Sequence, residues 1–251
     1  MEHELGITAL FNQYLAGLGN WILALFGLTA AHAEKPWENW IVVELVVVAI
    51  LVVAVAILRS GLSAEKPGKL QHLFELIYGF IHDTVEQVGI HHGAQYAPYI
   101  GTIFIFILSM NLIGIVPAFE SPTMAAYVPA GLALSTFVYF NAMGFRANGI
   151  GYLSQFAGPV RFANPIANIA IILFMLPIET ISIFIRPLSL TVRLYGNMFA
   201  GEQVTLVFLG LTYLVVPVIF MALHVFVSFV QAYVFTLLTT IYINLATSHE
   251  H

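Results

Sequence analysis

Long apolar runs constrain the fold of this sequence more than any other feature. Hydrophobic residues make up 60% of the chain and charged residues 8%, whereas about 25% of the residues in a typical soluble domain are charged. A helix that crosses a bilayer needs about 20 largely apolar residues. The sequence therefore predicts an all-α polytopic protein, a single membrane domain with about five crossing helices, at 40–58, 98–117, 128–146, 165–211 and 214–246.

The last two runs are too long to stand upright in a membrane. If fully helical, they would reach roughly 70 Å and 50 Å, against a hydrocarbon core of about 30 Å. Either each run is broken, with Pro187 and Pro217 as the obvious places, or both helices are strongly tilted and lean on something larger than lipid. The two spans before them form a hairpin, because Pro and Gly are frequent between them.

Two segments outside the spans have their own patterns. In 69–92, apolar residues recur every three or four positions, which predicts an amphipathic helix in the membrane interface. Residues 1–39 contain an apolar run that ends in Ala31-His32-Ala33, like the cleavage site of a signal peptide. A signal peptide also needs a basic start, and no Lys or Arg precedes Lys35. We therefore expect the N-terminal segment to lie at the membrane surface.

Basic residues indicate the orientation of the chain. Arg59, Lys66 and Lys69 follow the first span, and Arg146 and Arg161 follow the third, so all five fall on one side. By the positive-inside rule that side is cytoplasmic. We expect the N-terminus outside and the C-terminus in the cytoplasm.

Composition also excludes several classes of function. The net charge is −5 and cysteine is absent, which argues against nucleic-acid binding and excludes thiol chemistry. The sequence has no G-x-x-x-x-G-K-[ST] loop and no large soluble domain to hold one. We expect no ATP chemistry in this chain, no cofactor and no metal.

Arg193 is the residue that most needs an explanation, because a guanidinium at mid-membrane costs about 2.5 to 3.5 kcal/mol. On a continuous helix it shares an arc of about 80° with five other polar residues, namely Glu179, Ser182, Arg186, Ser189 and Asn197. The last run carries a second polar stripe, made of His224, Ser228, Gln231 and Tyr242. Hydrogen bonding between helices accounts for serines and tyrosines in such stripes, but it does not require a permanent cation.

Small residues beside Arg193, namely Gly196, Ala200 and Gly201, leave two interpretations open. They either allow helices to pack closely or provide a smooth surface along which a partner moves.

The stretch from Arg186 to Glu202 reads Arg-Pro-Leu-Ser-Leu-Thr-Val-Arg-Leu-Tyr-Gly-Asn-Met-Phe-Ala-Gly-Glu and resembles the signature of subunit a of F-type ATP synthases. The resemblance covers most of 40–247, including Pro67-Gly68-Lys69, Glu75, Met110-Asn111-Leu112, Glu179, His224 and Gln231. It implies a stator in a bacterial inner membrane, pressed against a ring of c subunits that each carry one essential carboxylate. Other implied partners are the peripheral-stalk b subunits, the rest of the F1Fo complex, the lipid bilayer and protons.

The resemblance also implies roles for single residues. Arg193 would attract each ring carboxylate and block a direct proton leak, because a guanidinium stays charged at any physiological pH. Gln231 would position Arg193 from the facing helix. Two aqueous half-channels would reach mid-membrane, a cytoplasmic one with Glu179, Ser182 and Asn197, and an outer one with Glu202, His224 and Asn111.

This sequence departs from the family pattern in the hairpin. Relatives often carry further Asn, Asp or Ser residues there, whereas Ala125–Leu134 is nearly all apolar and Gly114 stands where an acid is sometimes found. We expect the outer path to depend more on Glu202, His224 and Glu120, or on water.

Three alternatives remain open. A metalloenzyme is suggested by nine histidines, including His91-His92, but no H-E-x-x-H occurs. A secondary transporter or channel is suggested by Asn164-Pro165-Ile166-Ala167-Asn168, although no second copy of this element is present. Sodium coupling in place of proton coupling is a third alternative, within the family.

Overall fold

The computed structural model of the protein describes residues 4–25, 27, 29–30, 32–63, 67–90, 93–116, 119–152, 165–211 and 215–248. Within these ranges the chain forms seven α-helices and no strand. They are α1 (Gly6–Leu25), α2 (Asn39–Ser60), α3 (Lys69–Val88), α4 (Ala97–Ile113), α5 (Tyr127–Asn148), α6 (Pro165–Leu211) and α7 (Val215–Thr247).

The all-α class and the polytopic membrane architecture are confirmed. By length and composition, four helices of the described chain are suited to cross a membrane, namely α2, α5, α6 and α7. The apolar helix α4 is shorter. The uncharged helix α1, predicted only as a surface segment, is not among the four.

Both long C-terminal helices are continuous over their described lengths. Pro187 was one predicted breaking point, and α6 runs through both Pro177 and Pro187. Of the two alternatives, the break is therefore not observed at Pro187, because an apolar helix tolerates proline when other groups satisfy the freed backbone atoms. Pro217 lies in the first turn of α7, where its missing N–H would have no intrahelical partner in any case.

Spatial contacts divide the chain into two compact units. Unit 1 comprises Met1–Gly68, Ile105–Ala125 and Met198–Phe229, and unit 2 comprises Lys69–Phe104, Ala126–Asn197 and Val230–His251. Three helices, α4, α6 and α7, therefore have part of their length in each unit. The single membrane domain stays a prediction.

In unit 1, helix α1 is tied to the segment that leads into α2. The Asn12 side chain donates to the Trp37 carbonyl (3.1 Å) and accepts from the Trp37 main-chain N–H (3.0 Å). The Trp37 indole donates to the Leu15 carbonyl at 2.8 Å. An added Cβ at Gly19 would lie 2.9 Å from Pro36, so only glycine allows this close approach.

In unit 2, the second half of α3 is packed and the first half is more exposed. Phe80 contacts both Phe104 of α4 and Tyr233 of α7, and the Asn244 side chain donates to the Val88 carbonyl at 3.1 Å. Helix α3 ends at Val88, because Gly89 adopts a left-handed φ of 76°, which is typical of a helix C-terminus. The predicted helix continued to residue 92, and His91-His92 lies outside the described residues.

Candidate functional site

The predicted polar stripe on α6 lies along the margin between a buried face and an exposed face. Ile183, Leu190 and Leu194 are almost fully buried, whereas Phe184 and Leu188 are about 60% exposed, at 62% and 60%. The stripe residues are half-buried, except for the exposed Asn197. An arginine on this stripe is therefore partly covered by the chain and partly exposed.

Arg186 is held by groups of its own chain. Its guanidinium lies 3.7 Å from a Glu179 carboxylate oxygen and 5.3 Å from the centroid of the Tyr242 ring. The Arg186 side chain is 19% exposed and that of Glu179 is 38% exposed. An ion pair combined with a cation–π contact neutralises and orients this arginine.

Arg193 lies two turns further along the same face and has a different environment. Among the residues that the structure describes, no hydrogen bond, ion pair or aromatic contact engages its guanidinium. Its charge cannot be removed by deprotonation. A half-buried, permanent and uncompensated cation on an apolar helix is free to bind an anion from another molecule.

The structure places Gln231 opposite the turn of α6 that follows Arg193. Gln231, predicted to position Arg193, is 3% exposed, and its side-chain oxygen accepts a hydrogen bond from Asn197 at 2.7 Å. Asn197 follows Arg193 by one turn, so Gln231 does face α6 but pairs with the next turn. Ser182 is half-buried on the stripe between Glu179 and Arg186.

In addition to the α6 stripe, which is the first polar cluster, a second polar cluster lies in unit 1. It brings together the three residues predicted for the outer half-channel. The Glu202 carboxylate lies near the main-chain N–H of Ser121 and the carboxylate of Glu120. The ring of His224 lies near the main-chain carbonyl of Asn111. Three buried atoms of this cluster lack a hydrogen-bond partner among the described residues, namely Asn111 Nδ2, Glu202 Oε2 and His224 Nε2.

Glycines shape both clusters. An added Cβ at Gly114 would lie 2.9 Å from Ser121 Cβ, so this position has no room for a side chain. An added Cβ at Gly201 would lie 3.2 Å from His224 Nδ1, whereas one at Gly196 would meet nothing within 4 Å. Gly201 therefore serves packing, and Gly196 leaves an open surface beside Arg193.

Sequence reasoning missed the hydroxyls of Ser121 and Thr123, which are buried in the second cluster. The only signal in the sequence is the turn Ser121-Pro122-Thr123, which forms a short 3₁₀ helix at Pro122–Met124. It also missed Tyr152, whose hydroxyl donates to Asn141 Oδ1 at 2.9 Å in unit 2.

One group in the described part of the chain has the spacing to hold a metal ion, formed by His82, Asp83 and Glu86 on α3. Both acids are exposed and the group is remote in sequence from either polar stripe. It adds no support to the metalloenzyme alternative. Of the Asn-Pro element, Asn164 lies outside the described residues, as do Lys66 and Arg161 of the orientation argument.

Comparison with known proteins shows the family of the chain. The sequence model of the ATP synthase A chain family matches residues 40–244. The chain belongs to the ATP synthase A chain family. ATP synthase subunit a of Solibacter usitatus is 54% identical over 243 residues, which cover 96% of this chain and 100% of the relative. ATP synthase subunit a of Koribacter versatilis is 44% identical over 252 residues and covers 100% of both chains.

More distant members of the family match nearly as much of the chain. ATP synthase subunit a 3 of Pelobacter propionicus is 36% identical over 230 residues, which cover 92% of this chain and 94% of the relative. The match includes the α6 segment with Arg193 and the α7 segment with His224 and Gln231, since both fall within 40–244. The two polar clusters described above therefore lie in the part of the chain that defines the family.

Proposed function

We propose that this protein translocates protons through the membrane sector of a rotary F-type ATP synthase. Membership of the ATP synthase A chain family supports a place in that sector. The single observation that carries the proposal is the environment of Arg193, a permanent cation on a long apolar helix with no partner among the described residues. Such a charge is costly in a membrane and is expected to have a function.

The mechanism follows from the chemistry of the guanidinium. Arg193 cannot relay a proton, because it does not deprotonate at physiological pH. It attracts a carboxylate, so each carboxylate of the c-subunit ring that arrives protonated ionises near Arg193. It then passes as an anion and is reprotonated on the other side. The same fixed positive charge opposes a direct proton leak.

The two polar clusters supply the proposed half-channels. Glu179, with Ser182 and Asn197, belongs to the cytoplasmic half-channel, and Glu202, His224 and Asn111 belong to the outer one. Unpartnered buried atoms on all three outer residues support this assignment, since buried polar groups normally have hydrogen-bond partners. Gln231 positions Arg193 from the facing helix, and its hydrogen bond with Asn197, one turn beyond Arg193, supports this role.

In this proposal the chain itself makes no ATP, because ATP synthesis takes place in the F1 sector. It works as a stator beside the c-ring, contacts the peripheral-stalk b subunits and lies in a bacterial inner membrane. Its N-terminus faces outward and its C-terminus faces the cytoplasm. The basic residues Arg59, Lys69 and Arg146 support this orientation.

ATP-driven proton pumping tests the proposal. Inverted membrane vesicles that carry assembled complexes with wild-type chain or Arg193→Ala are energised with ATP, and a pH-sensitive dye follows acidification of the lumen. We expect no acidification in the variant. F1 released from the same vesicles should still hydrolyse ATP, which shows that the complex had assembled. Undiminished pumping would mean that Arg193 is structural and that the mechanism above is incorrect.

Sodium coupling is the second candidate within the same function. The same vesicles distinguish the ions when pumping is measured in sodium-free buffer and ²²Na⁺ uptake is measured in parallel. Acidification without added sodium supports proton coupling. Sodium uptake that is insensitive to a protonophore would replace it with sodium coupling.

A further inference from the structure

A continuous set of buried hydrogen bonds runs through the turn that follows α4 in unit 1. The hydroxyls of Ser121 and Thr123 lie 2.7 Å apart. Thr123 donates to Asn111 Oδ1 at 2.7 Å, and Ser121 donates to the Met110 carbonyl at 3.0 Å. All four residues are buried, and Thr123, Asn111 and Met110 have no exposed surface.

Both ends of this set lie beside residues of the proposed outer half-channel. The main-chain N–H of Ser121 lies near the Glu202 carboxylate, and the main-chain carbonyl of Asn111 lies near the His224 ring. Gly114 lets the turn sit directly against α4, because an added Cβ there would lie 3.1 Å from the Ser121 nitrogen. The turn therefore joins Glu202 on α6 to His224 on α7 through polar groups of the same unit.

Counting protons reveals two ways to order these hydrogen bonds. Three contacts connect the four residues, but the Ser121 and Thr123 hydroxyls supply only two protons. While Asn111 presents its oxygen to Thr123, one contact lacks a proton, and the buried Asn111 Nδ2 has no partner in the described part of the chain. When the amide turns over, its NH₂ donates to Thr123, Thr123 donates to Ser121 and Ser121 donates to Met110, so every contact has a proton.

We propose that Thr123 is a positioning residue of the outer half-channel, which sets the end of the Asn111 amide that is left free. With the oxygen on Thr123, the free end is a hydrogen-bond donor, and with the NH₂ on Thr123 it is an acceptor. The path can thus change from donor to acceptor without movement of the backbone. This inference rests on the proposed function, because it concerns how the outer half-channel is ordered.

Thr123→Val tests the inference, since valine keeps the shape of threonine and removes the hydroxyl. ATP-driven pumping in vesicles with assembled complexes is expected to fall about fivefold to tenfold, because the buried Asn111 amide then loses the one side-chain partner it has among the described residues. Thr123→Ser keeps a hydroxyl and is expected to retain at least about half of the rate. The matched control is Thr240→Val, since Thr240 is also fully buried and its hydroxyl bonds only to the Thr236 carbonyl of its own helix.

A second experiment separates positioning from a structural role. If Thr123 acts through Asn111, Thr123→Val has no further effect on the pumping rate in an Asn111→Leu background. An equal loss in both backgrounds would overturn the inference, and so would wild-type pumping by Thr123→Val. If Thr123→Val does not assemble, Thr123→Cys replaces it. The thiol is a weaker donor than the hydroxyl, so we expect this variant to pump at an intermediate rate. A wild-type rate would contradict the inference.

Arg193→Ala measured in the same vesicles distinguishes this failure from failure of the proposed function. If Arg193→Ala does not pump and Thr123→Val pumps at the wild-type rate, only the proposed role of Thr123 is incorrect. If Arg193→Ala pumps normally, the proposed mechanism fails whatever the Thr123 variants do.

Discussion

Two arginines on one face of α6 have opposite environments. Arg186 lies 3.7 Å from Glu179 and over the ring of Tyr242, whereas the guanidinium of Arg193, two turns away, has no partner among the described residues. Both are arginines in the same apolar helix, so composition and hydropathy do not separate them. Within the described residues, the chain neutralises one of the two cations and leaves the other without a partner, as the proposed function requires.

The two arginines also differ in how their charges are accommodated in the apolar helix. A buried or half-buried cation is tolerated in an apolar segment when an acid and an aromatic ring accompany it. Arg186 meets that condition within unit 2. Arg193 has no such partners among the described residues, and we propose that a ring carboxylate supplies the missing negative charge.

The strongest way to break this contrast is to give Arg193 a partner of its own. Ser189 lies one turn before Arg193 on the same half-buried face, and a Glu four residues before an Arg pairs well on a helix. We expect Ser189→Glu to reduce ATP-driven pumping by at least about tenfold, because the guanidinium is then occupied. Ser189→Gln, which has the same size without the charge, is the control and should pump far faster than Ser189→Glu. Equal rates for the two variants would contradict the account.

Removing the neutralised arginine should have a smaller effect. Arg186→Ala leaves Glu179 without its ion pair, and we expect pumping to fall about threefold to fivefold while assembly persists. Pumping by Arg186→Ala as low as that of Arg193→Ala would remove the distinction between the two arginines.

The contact next to Arg193 is expected to contribute less. Asn197→Leu removes the 2.7 Å hydrogen bond to Gln231, and such bonds between membrane helices average about 0.6 kcal/mol, equivalent to about threefold. We expect pumping to fall about twofold to threefold, and Gln231→Leu to add little in the Asn197→Leu background. Fully additive losses would show that the two side chains act independently.

The ion pair between Lys35 and Glu4 is more exposed than the one between Arg186 and Glu179 and is expected to contribute least. The Lys35 ammonium and the Asn12 amide lower the pKa of Glu4 below its ordinary value of 4.5. A carboxyl with a lowered folded-state pKa stabilises the fold above its ordinary value and loses that contribution as the pH falls through the lower value. We expect the attachment of α1 to weaken slightly only below about pH 4.5.

Fluorescence of Trp37, which packs edge-on against Phe11 of α1, measures this last effect. In a variant with Trp21→Phe and Trp40→Phe, the signal should change at acidic pH, and Glu4→Gln should abolish that change. A transition at neutral pH would point to another titrating group.

Much of the fold follows from hydropathy. The backbone N–H and C=O groups of an apolar run in a membrane have no water to bind, so they pair with each other in a helix. The start of α2 at Asn39 and the start of α6 at Pro165 lie close to the predicted limits. Helix α1 was not predicted as a helix. Its attachment depends on Asn12 meeting Trp37, a contact between distant residues that no local pattern encodes.

The site was predictable to the level of helix faces but not of partners. Periodicity places Glu179, Arg186 and Arg193 on one face of α6, and the structure is consistent with that placement. Periodicity does not indicate which turn of α6 faces Gln231, whose side-chain oxygen accepts a hydrogen bond from Asn197. The hydroxyls of Ser121 and Thr123 were missed because a turn has no periodicity.

The most direct test of the central claim is a disulfide cross-link between the α6 surface beside Arg193 and the rotor ring. The chain contains no cysteine, so Gly196→Cys introduces a single thiol at a position where an added Cβ meets nothing within 4 Å. It is paired with a cysteine placed next to the ring carboxylate, and Gly131→Cys on α5, equally open, serves as the control. We expect oxidation to link Gly196→Cys, but not Gly131→Cys, to the ring and to stop pumping reversibly. A link from Gly131→Cys with none from Gly196→Cys would contradict the claim that Arg193 meets the ring.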